Sequence, residues 1–398
     1  MLAICPDHAR GCMKSRAAIC VAQNRPLEID EIEVAGPRQG EVLIEIKASG
    51  LCHTDYHLID GSMSVSPYPI VLGHEGAGVV VEVGRGVTSV APGDHVLPVS
   101  MPECGRCRNC TEGRTNICLE FFKLFGADSP FSWRGSPVSQ FLGCGTFSNY
   151  TTVKEIAVAK IRADAPFRTS CYISCGVATG IGSATRSAQV RSGASVVVFG
   201  LGGVGLNVLQ GARIAGAARI IGIDINPDRE TIARKLGATD FINPRNVPGD
   251  IVALLHELTD GGADYAFECV GSTTLIRQAI ESTRPGSGIA MMIGGVPTGQ
   301  ELRLDPMSLL LGRTLRGAMV GGLKARTDLP GLVDLYMQGQ VKVDELITHY
   351  FPLERINEGF AAMKEGRAIR AVVLFDEALE RQSDPDAHSG CSPAARNG

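Results

Sequence analysis

The chain has 398 residues, too many for one ordinary hydrophobic core, so at least two domains are expected. Hydrophobic residues make up 44%, charged residues 20%, and the formal net charge is -4, which gives no reason to expect nucleic acid or an anionic membrane as partner. No apolar run reaches the roughly 18 residues of a membrane span, and Asp7, His8 and Arg10 break the start where a signal peptide would be apolar. A cytoplasmic protein is expected. The 13 cysteines are an odd number, better explained by metal thiolates or buried thiols than by disulfides.

Residues 1–15 show no pattern and read as a flexible arm. From Arg16 short apolar alternations follow, Ala17 to Val21, Leu27 to Ile32 and Val42 to Ile46, separated by Pro and Gly. Residues 16–176 are therefore expected to form a β-rich domain. Within it, residues 101–145 are a polar excursion with four close cysteines and the only tryptophan, Trp133. From about Ser183 strands alternate with helices. Ser195 to Phe199 is an apolar run suited to a parallel strand covered on both faces, with further strands at Arg219 to Ile223, Phe241–Ile242, Tyr265 to Cys269 and Ile289 to Ile293. Residues 177–321 are thus expected to be a doubly wound α/β domain, residues 322–376 to return to the first domain, and residues 377–398 to be a disordered tail.

Gly200-Leu201-Gly202-Gly203-Val204-Gly205 fits G-x-G-x-x-G between a predicted strand and a predicted helix. Gly200 permits a tight turn, Gly202 lets a pyrophosphate approach, and Gly205 lets helix and sheet pack closely. A glycine-rich turn without a ligand is the plainer alternative. Asp224, ending the next strand, suits ribose hydroxyls and repels a 2′-phosphate, which points to NAD over NADP. Arg229 could reach the same ribose.

Cys104-x2-Cys107-x2-Cys110-x7-Cys118 supplies four soft ligands, read as a closed structural zinc site. An iron–sulfur cluster and a nucleic-acid-binding zinc ribbon are the rivals. Cys52-His53-Thr54-Asp55-Tyr56-His57 gathers a thiol, a hydroxyl, a carboxylate and two imidazoles, followed by Gly73-His74-Glu75 and later by Cys175-Gly176.

With these motifs, and with Gly145-Thr146-Phe147-Ser148, the chain resembles the zinc-dependent medium-chain alcohol dehydrogenases, in the branch of the class I and class III enzymes, from about Lys14 to Phe375. The resemblance implies a GroES-like catalytic domain, a Rossmann coenzyme domain, NAD and two zinc ions per chain. It implies Cys52, His74 and Cys175 as catalytic zinc ligands, a set that agrees with the Cys₂His site with one open position known for alcohol dehydrogenase. It implies Thr54 and His57 as a proton path, Asp55 as the partner orienting His74, and Glu75 behind the metal. His53 and Arg370 are implied at the pyrophosphate, and Thr179, Val204, Val270 and Val296 around the coenzyme. His95, His256 and His349 match no motif, and Cys20, Cys144, Cys171 and Cys269 read as buried thiols.

Two departures bear on the substrate. Class III relatives carry an arginine after the fourth loop cysteine, where this chain has Phe122 in Cys118-Leu119-Glu120-Phe121-Phe122. The family's channel-narrowing aromatic is Ser100 here. With Phe121, Phe122, Phe141, Leu142 and Val296 as walls, a roomy apolar pocket for benzylic or terpenoid primary alcohols is expected. Oxidation of S-(hydroxymethyl)glutathione ranks second. A non-catalytic dinucleotide-binding protein is the alternative of another class. A homodimer is expected.

Overall fold

The alternating segments of the first part build two mostly antiparallel sheets. In the computed structural model, which describes residues 11–63, 67–124 and 128–375, a small closed barrel runs Cys12–Cys20, Glu28–Ala35, Phe131–Trp133, Ser136–Gln140, Ile70–Val71. A seven-stranded sheet runs Val158–Lys160, His95–Pro98, Glu75–Val83, Glu41–Gly50, Arg370–Leu374, Ile347–Pro352, with Tyr150–Lys154 also paired to Glu41–Gly50. Its register places the chemistry. Gly50 faces Glu75 across one ladder and Val372 across another. Cys52 and His74, each just beyond that pairing, therefore meet at the end of the sheet.

The third sheet is parallel and six-stranded: Asp240–Ile242, Arg219–Ile223, Ser195–Phe199, Tyr265–Glu268, Ile289–Met292, Thr314–Gly317. Val196, Val197 and Val198 are fully buried because helices cover both faces. The strand order reverses between Ser195–Phe199 and Tyr265–Glu268, and the carboxyl ends of strands at such a switch point are where α/β sheets bind ligands. The fold is thus α/β, a GroES-like β-rich unit joined to a Rossmann sheet. Among the described residues, no helix is long and apolar enough to cross a membrane.

Four local features differ from the sequence expectations. A strand begins at Cys12, inside the stretch read as an arm to residue 15. Polar side chains hide it in the sequence: Ser15 is buried against the Ser148 hydroxyl at 2.7 Å, and Lys14 pairs with Glu31 at 2.6 Å. Residues 1–10 of that arm, and the expected tail 377–398, lie outside the described residues. The polar excursion contains a hairpin, Phe131–Trp133 with Ser136–Gln140, turned at Arg134 and Gly135, both at positive φ. Trp133 Nε1 donates to Asp30 at 2.8 Å, and the Arg134 guanidinium lies 4.2 Å from the Trp133 ring. The sixth parallel strand, Thr314–Gly317, escapes notice because it is an edge strand with one apolar residue. Finally, the link between the units is helical: Phe167–Tyr172, a π turn Ile173–Val177, Ala178–Gly182 and a second π turn Ser183–Ser187.

Candidate active site

Cys52 is the N-cap of the helix His53–Ile59, and the Asp55 carboxylate accepts its backbone N–H at 3.3 Å. The chain makes a tight turn at Gly73, at φ +90, and presents His74 beside them. The fully buried Asp55 accepts the Gly73 N–H at 2.9 Å, and the same oxygen lies 3.1 Å from His74 Nδ1. That contact leaves Nε2 free to face the site. Cys175 arrives from the π turn, an irregularity that often marks functional positions, and its Sγ lies 3.5 Å from His74 Nε2. One ligand atom from each of Cys52, His74, Glu75 and Cys175 lies within 4.8 Å of the others.

The electrostatics of this donor set suit a cation. The hydrogen bond from Cys175 holds the Cys52 thiol well below its ordinary value, and the same contact holds Cys175 well above. Burial alone would lower His74, yet the Asp55 carboxylate and the Cys52 sulfur hold it well above. A positive charge is therefore stabilised where two sulfurs and an imidazole converge. Two cysteine sulfurs and one histidine match a catalytic zinc with an open position, and binding the metal would displace the Cys175 proton. Burial pushes the Glu75 carboxyl up to about 8, although Arg370 Nη1 stands 3.2 Å away. Neither Glu75 oxygen makes a hydrogen bond, and no side chain fits at Gly50, where a Cβ would lie 2.1 Å from the Glu75 carboxylate.

The other cysteine group is self-contained. The sulfurs of Cys104 and Cys110 are 4.0 Å apart, as are those of Cys107 and Cys118. Ligands 2.3 Å from one tetrahedral zinc would be separated by about 3.8 Å, so this spacing fits a closed four-cysteine site. The Leu119 N–H brings the Cys107 thiol down to about 6, while burial raises Cys118 to about 12. Lys324 Nζ donates to the Cys110 carbonyl at 2.8 Å, and Thr327 Oγ1 to Glu103 at 2.7 Å. The loop is thereby clamped onto the helix Ala325–Met337.

At the switch point, Gly200 has φ +85, and a Cβ there would lie 2.3 Å from Val270 Cγ2. At Gly205 a Cβ would lie 1.8 Å from the Gly200 carbonyl oxygen, whereas at Gly202 nothing lies within 4 Å. Gly202 is the N-cap of the helix Gly203–Ile214, so its open side faces free helical N–H groups, a good place for a phosphate. Asp224 accepts the Leu201 N–H at 2.7 Å and the Asn226 N–H at 2.8 Å. Arg229 instead donates to the Gly366 carbonyl at 2.9 Å. Arg370 is 6% exposed, lies against Glu75 and donates to the Leu51 carbonyl.

The remaining expected residues spread around this centre. Thr54 Oγ1 lies 3.5 Å from Cys52 Sγ. His57 Nδ1 lies 2.6 Å from the Ser62 hydroxyl, and its Nε2 edge lies 3.8 Å from the Cβ position of Gly295. His53 is exposed, while Thr179, Val204 and Val296 are half-buried and Val270 is exposed. Ser100 is buried, and Phe121 and Phe122 meet edge to face at 5.4 Å. Phe122 is 63% exposed, whereas Phe141 is fully buried with its ring edge-on to His74 at 5.7 Å. Leu142 is half-buried at φ 51. Ser62 and Tyr172 carry no sequence motif, and only the fold brings them to the site.

The family model described as "Alcohol dehydrogenase GroES-like domain" matches residues 38–163, and "Zinc-binding dehydrogenase" matches residues 203–338. "Alcohol dehydrogenase class-3" of Cereibacter sphaeroides is 48% identical over 376 residues, covering 91% of this chain and all of that protein. The chain belongs to the zinc-dependent medium-chain alcohol dehydrogenases. "S-(hydroxymethyl)glutathione dehydrogenase" of Paracoccus denitrificans is 49% identical over 375 residues, with 91% and 100% covered. Among solved structures, a zinc-binding domain protein of the alcohol dehydrogenases from Burkholderia ambifaria aligns with a TM-score of 0.86 at 36% identity, and benzyl alcohol dehydrogenase from Acinetobacter calcoaceticus with 0.83 at 30%. Each alignment covers 92% of this chain and all of the other. This alcohol dehydrogenase thus uses NAD and two zinc ions, one in the Cys, His and Glu group and one in the four-cysteine group, and acts on a small alcohol or aldehyde.

Proposed function

We propose that this dehydrogenase transfers a hydride from the carbinol carbon of an alcohol to NAD, with S-(hydroxymethyl)glutathione, oxidised to its S-formyl thioester, as the physiological substrate. The support for that substrate is the name S-(hydroxymethyl)glutathione dehydrogenase carried by relatives 46% and 49% identical over the full length of each. This reverses the order expected from the sequence, in which bulky apolar alcohols came first. The convergence of Cys52, His74 and Cys175 carries the chemistry. Zinc, when bound there, supplies the Lewis acidity that makes an alcohol hydroxyl easier to deprotonate. Thr54 Oγ would accept the hydroxyl proton while giving up its own, and His57, held at Nδ1 by the Ser62 hydroxyl, would release a proton to solvent at the end of the path. Asp55 holds His74 in one tautomer. Arg370 supplies positive charge to the pyrophosphate and His53 a hydrogen-bond donor, and Asp224 takes the adenosine ribose.

Phe122 leaves no arginine for a glutathione carboxylate, but the next residue offers a cation. Lys123 is exposed and pairs with Glu120 at 2.9 Å. Such a surface pair is worth roughly 0–1 kcal/mol and exchanges readily for another carboxylate. Lys123→Ala should then raise KM for S-(hydroxymethyl)glutathione and leave KM for benzyl alcohol unchanged. A second reading keeps benzylic or terpenoid alcohols as substrates, favoured by the exposed Phe122 and by the benzyl alcohol dehydrogenase neighbour. An NAD assay with formaldehyde separates the two, since only the first needs added glutathione. We also propose a homodimer through the free edge of Thr314–Gly317, beside which Met307, Leu309, Leu310 and Leu311 are exposed.

A further inference from the structure

Tyr172 is completely buried, and its ring carries the Arg370 guanidinium at 4.3 Å. The stacked pair sits in a slot made by two glycines. A Cβ at Gly176 would lie 2.2 Å from the Tyr172 ring and 3.0 Å from Arg370 Nη2. A Cβ at Gly203 would lie 2.6 Å from the Tyr172 hydroxyl and 2.7 Å from Arg370 Nη2. Gly176 follows the ligand Cys175, and Gly203 opens the helix after the phosphate loop. The pair therefore fills the space between metal site and coenzyme site.

Hydrogen bonds fix the pair on the coenzyme side. The Tyr172 hydroxyl donates to the Gly203 carbonyl at 2.7 Å and accepts from Asn207 Nδ2 at 3.1 Å. Asn207 Nδ2 also donates to the Gly203 carbonyl at 2.8 Å, and Asn207 Oδ1 accepts from Gln210 at 3.0 Å. Gln210 in turn bonds both the carbonyl and the N–H of Lys342 at 2.8 Å. Every polar group of these two amides is used, the condition under which a buried network rigidifies its surroundings. Burial pushes the Tyr172 hydroxyl up to about 12, so it remains a protonated donor at neutral pH. Arg370 Nε, by contrast, is buried without a partner.

We propose that Tyr172 is a positioning residue for the coenzyme, holding Arg370 and the start of the helix Gly203–Ile214 in the geometry that receives the pyrophosphate. The inference rests on the coenzyme site proposed above. No polar contact from Tyr172 to the zinc ligands is needed for this role. Its effect is on coenzyme affinity and not on the chemical step.

Equilibrium titration of the two-zinc protein tests this with NAD, with ADP-ribose, which keeps the pyrophosphate but lacks nicotinamide, and with adenosine. Tyr172→Phe keeps the ring and removes the hydroxyl, and should weaken NAD and ADP-ribose by roughly threefold. Tyr172→Leu also removes the face under the guanidinium and should weaken both by about tenfold or more. Adenosine should bind as before, and KM for NAD should rise while kcat at saturating NAD holds. Kd for NAD and ADP-ribose within twofold of the parent in folded Tyr172→Phe and Tyr172→Leu proteins overturns the proposal. So does an equal loss for adenosine. If Tyr172→Leu does not fold, Tyr172→Phe alone decides. A parent protein that binds no NAD overturns the coenzyme site itself, and this inference with it.

Discussion

Replacing Asp55 by Asn should strip the catalytic zinc while sparing the structural one. The fully buried carboxylate accepts the Cys52 and Gly73 N–H groups and faces His74 Nδ1 at 3.1 Å. An Asn can reproduce one acceptor oxygen but turns an NH₂ toward a second donor. Either a backbone N–H or the imidazole Nδ1–H then loses its partner, and the negative charge that supports His74 disappears. Loss of such an outer partner typically costs ten- to a hundredfold in metal affinity, about 1.4–2.7 kcal/mol. The assay is zinc per chain by mass spectrometry across a series of chelator concentrations, with melting temperature followed in parallel. The parent should lose its catalytic zinc at a chelator concentration at least roughly tenfold above that for Asp55→Asn. The four-cysteine zinc should resist equally in both. Unchanged chelator sensitivity in a folded Asp55→Asn protein would refute the reasoning from geometry to metal affinity.

Thr54→Ala should lower kcat by roughly a hundredfold or more with both zinc ions retained, and near-normal turnover removes Thr54 from the proton path. Asp224→Ala should raise KM for NAD and narrow its preference over NADP, measured as the ratio of kcat/KM values, and an unchanged ratio assigns cofactor choice elsewhere. Cys110→Ser should lower the zinc content by one ion and the melting temperature together, because the loop's own packing is small. For pH, Asp240 is held below the usual carboxylate range: burial would raise it, but the hydrogen bonds from Arg219 and Thr239 outweigh that. A depressed folded value adds stability above the unfolded value of about 3.9 and loses it as pH falls through the folded value. Asp240→Asn should therefore narrow the stability gap to the parent in acid, and a gap constant between neutral and acid pH contradicts this.

The parts legible in the sequence are those where one residue type answers one physical need. The phosphate loop reads through its glycines because Gly205 approaches the Gly200 carbonyl too closely for any side chain. The four-cysteine loop reads through spacing alone, because all its ligands are local. The catalytic group is harder, since Cys52, His74 and Cys175 come from separate segments, and only the resemblance joined them. What stayed hidden depends on tertiary partners. The strand Cys12–Cys20 looked polar because Ser15 finds its hydrogen bond on Ser148. The π turn that delivers Cys175 has no periodicity to detect. Tyr172 sits in an unmarked helix, and its meaning comes from Gly176, Gly203 and Arg370 together. The expected substrate order rests on Phe122 and Ser100, and the names of the relatives, which no single residue of this chain carries, favour the other order.

The most direct test is NADH formation from formaldehyde and glutathione by the two-zinc protein, run beside benzyl alcohol and geraniol and repeated after removal of the catalytic zinc. Turnover that needs the metal is expected throughout, with glutathione and formaldehyde together giving the highest kcat/KM. A protein that carries both zinc ions, binds NAD and reduces none of it with any of these alcohols contradicts the assignment.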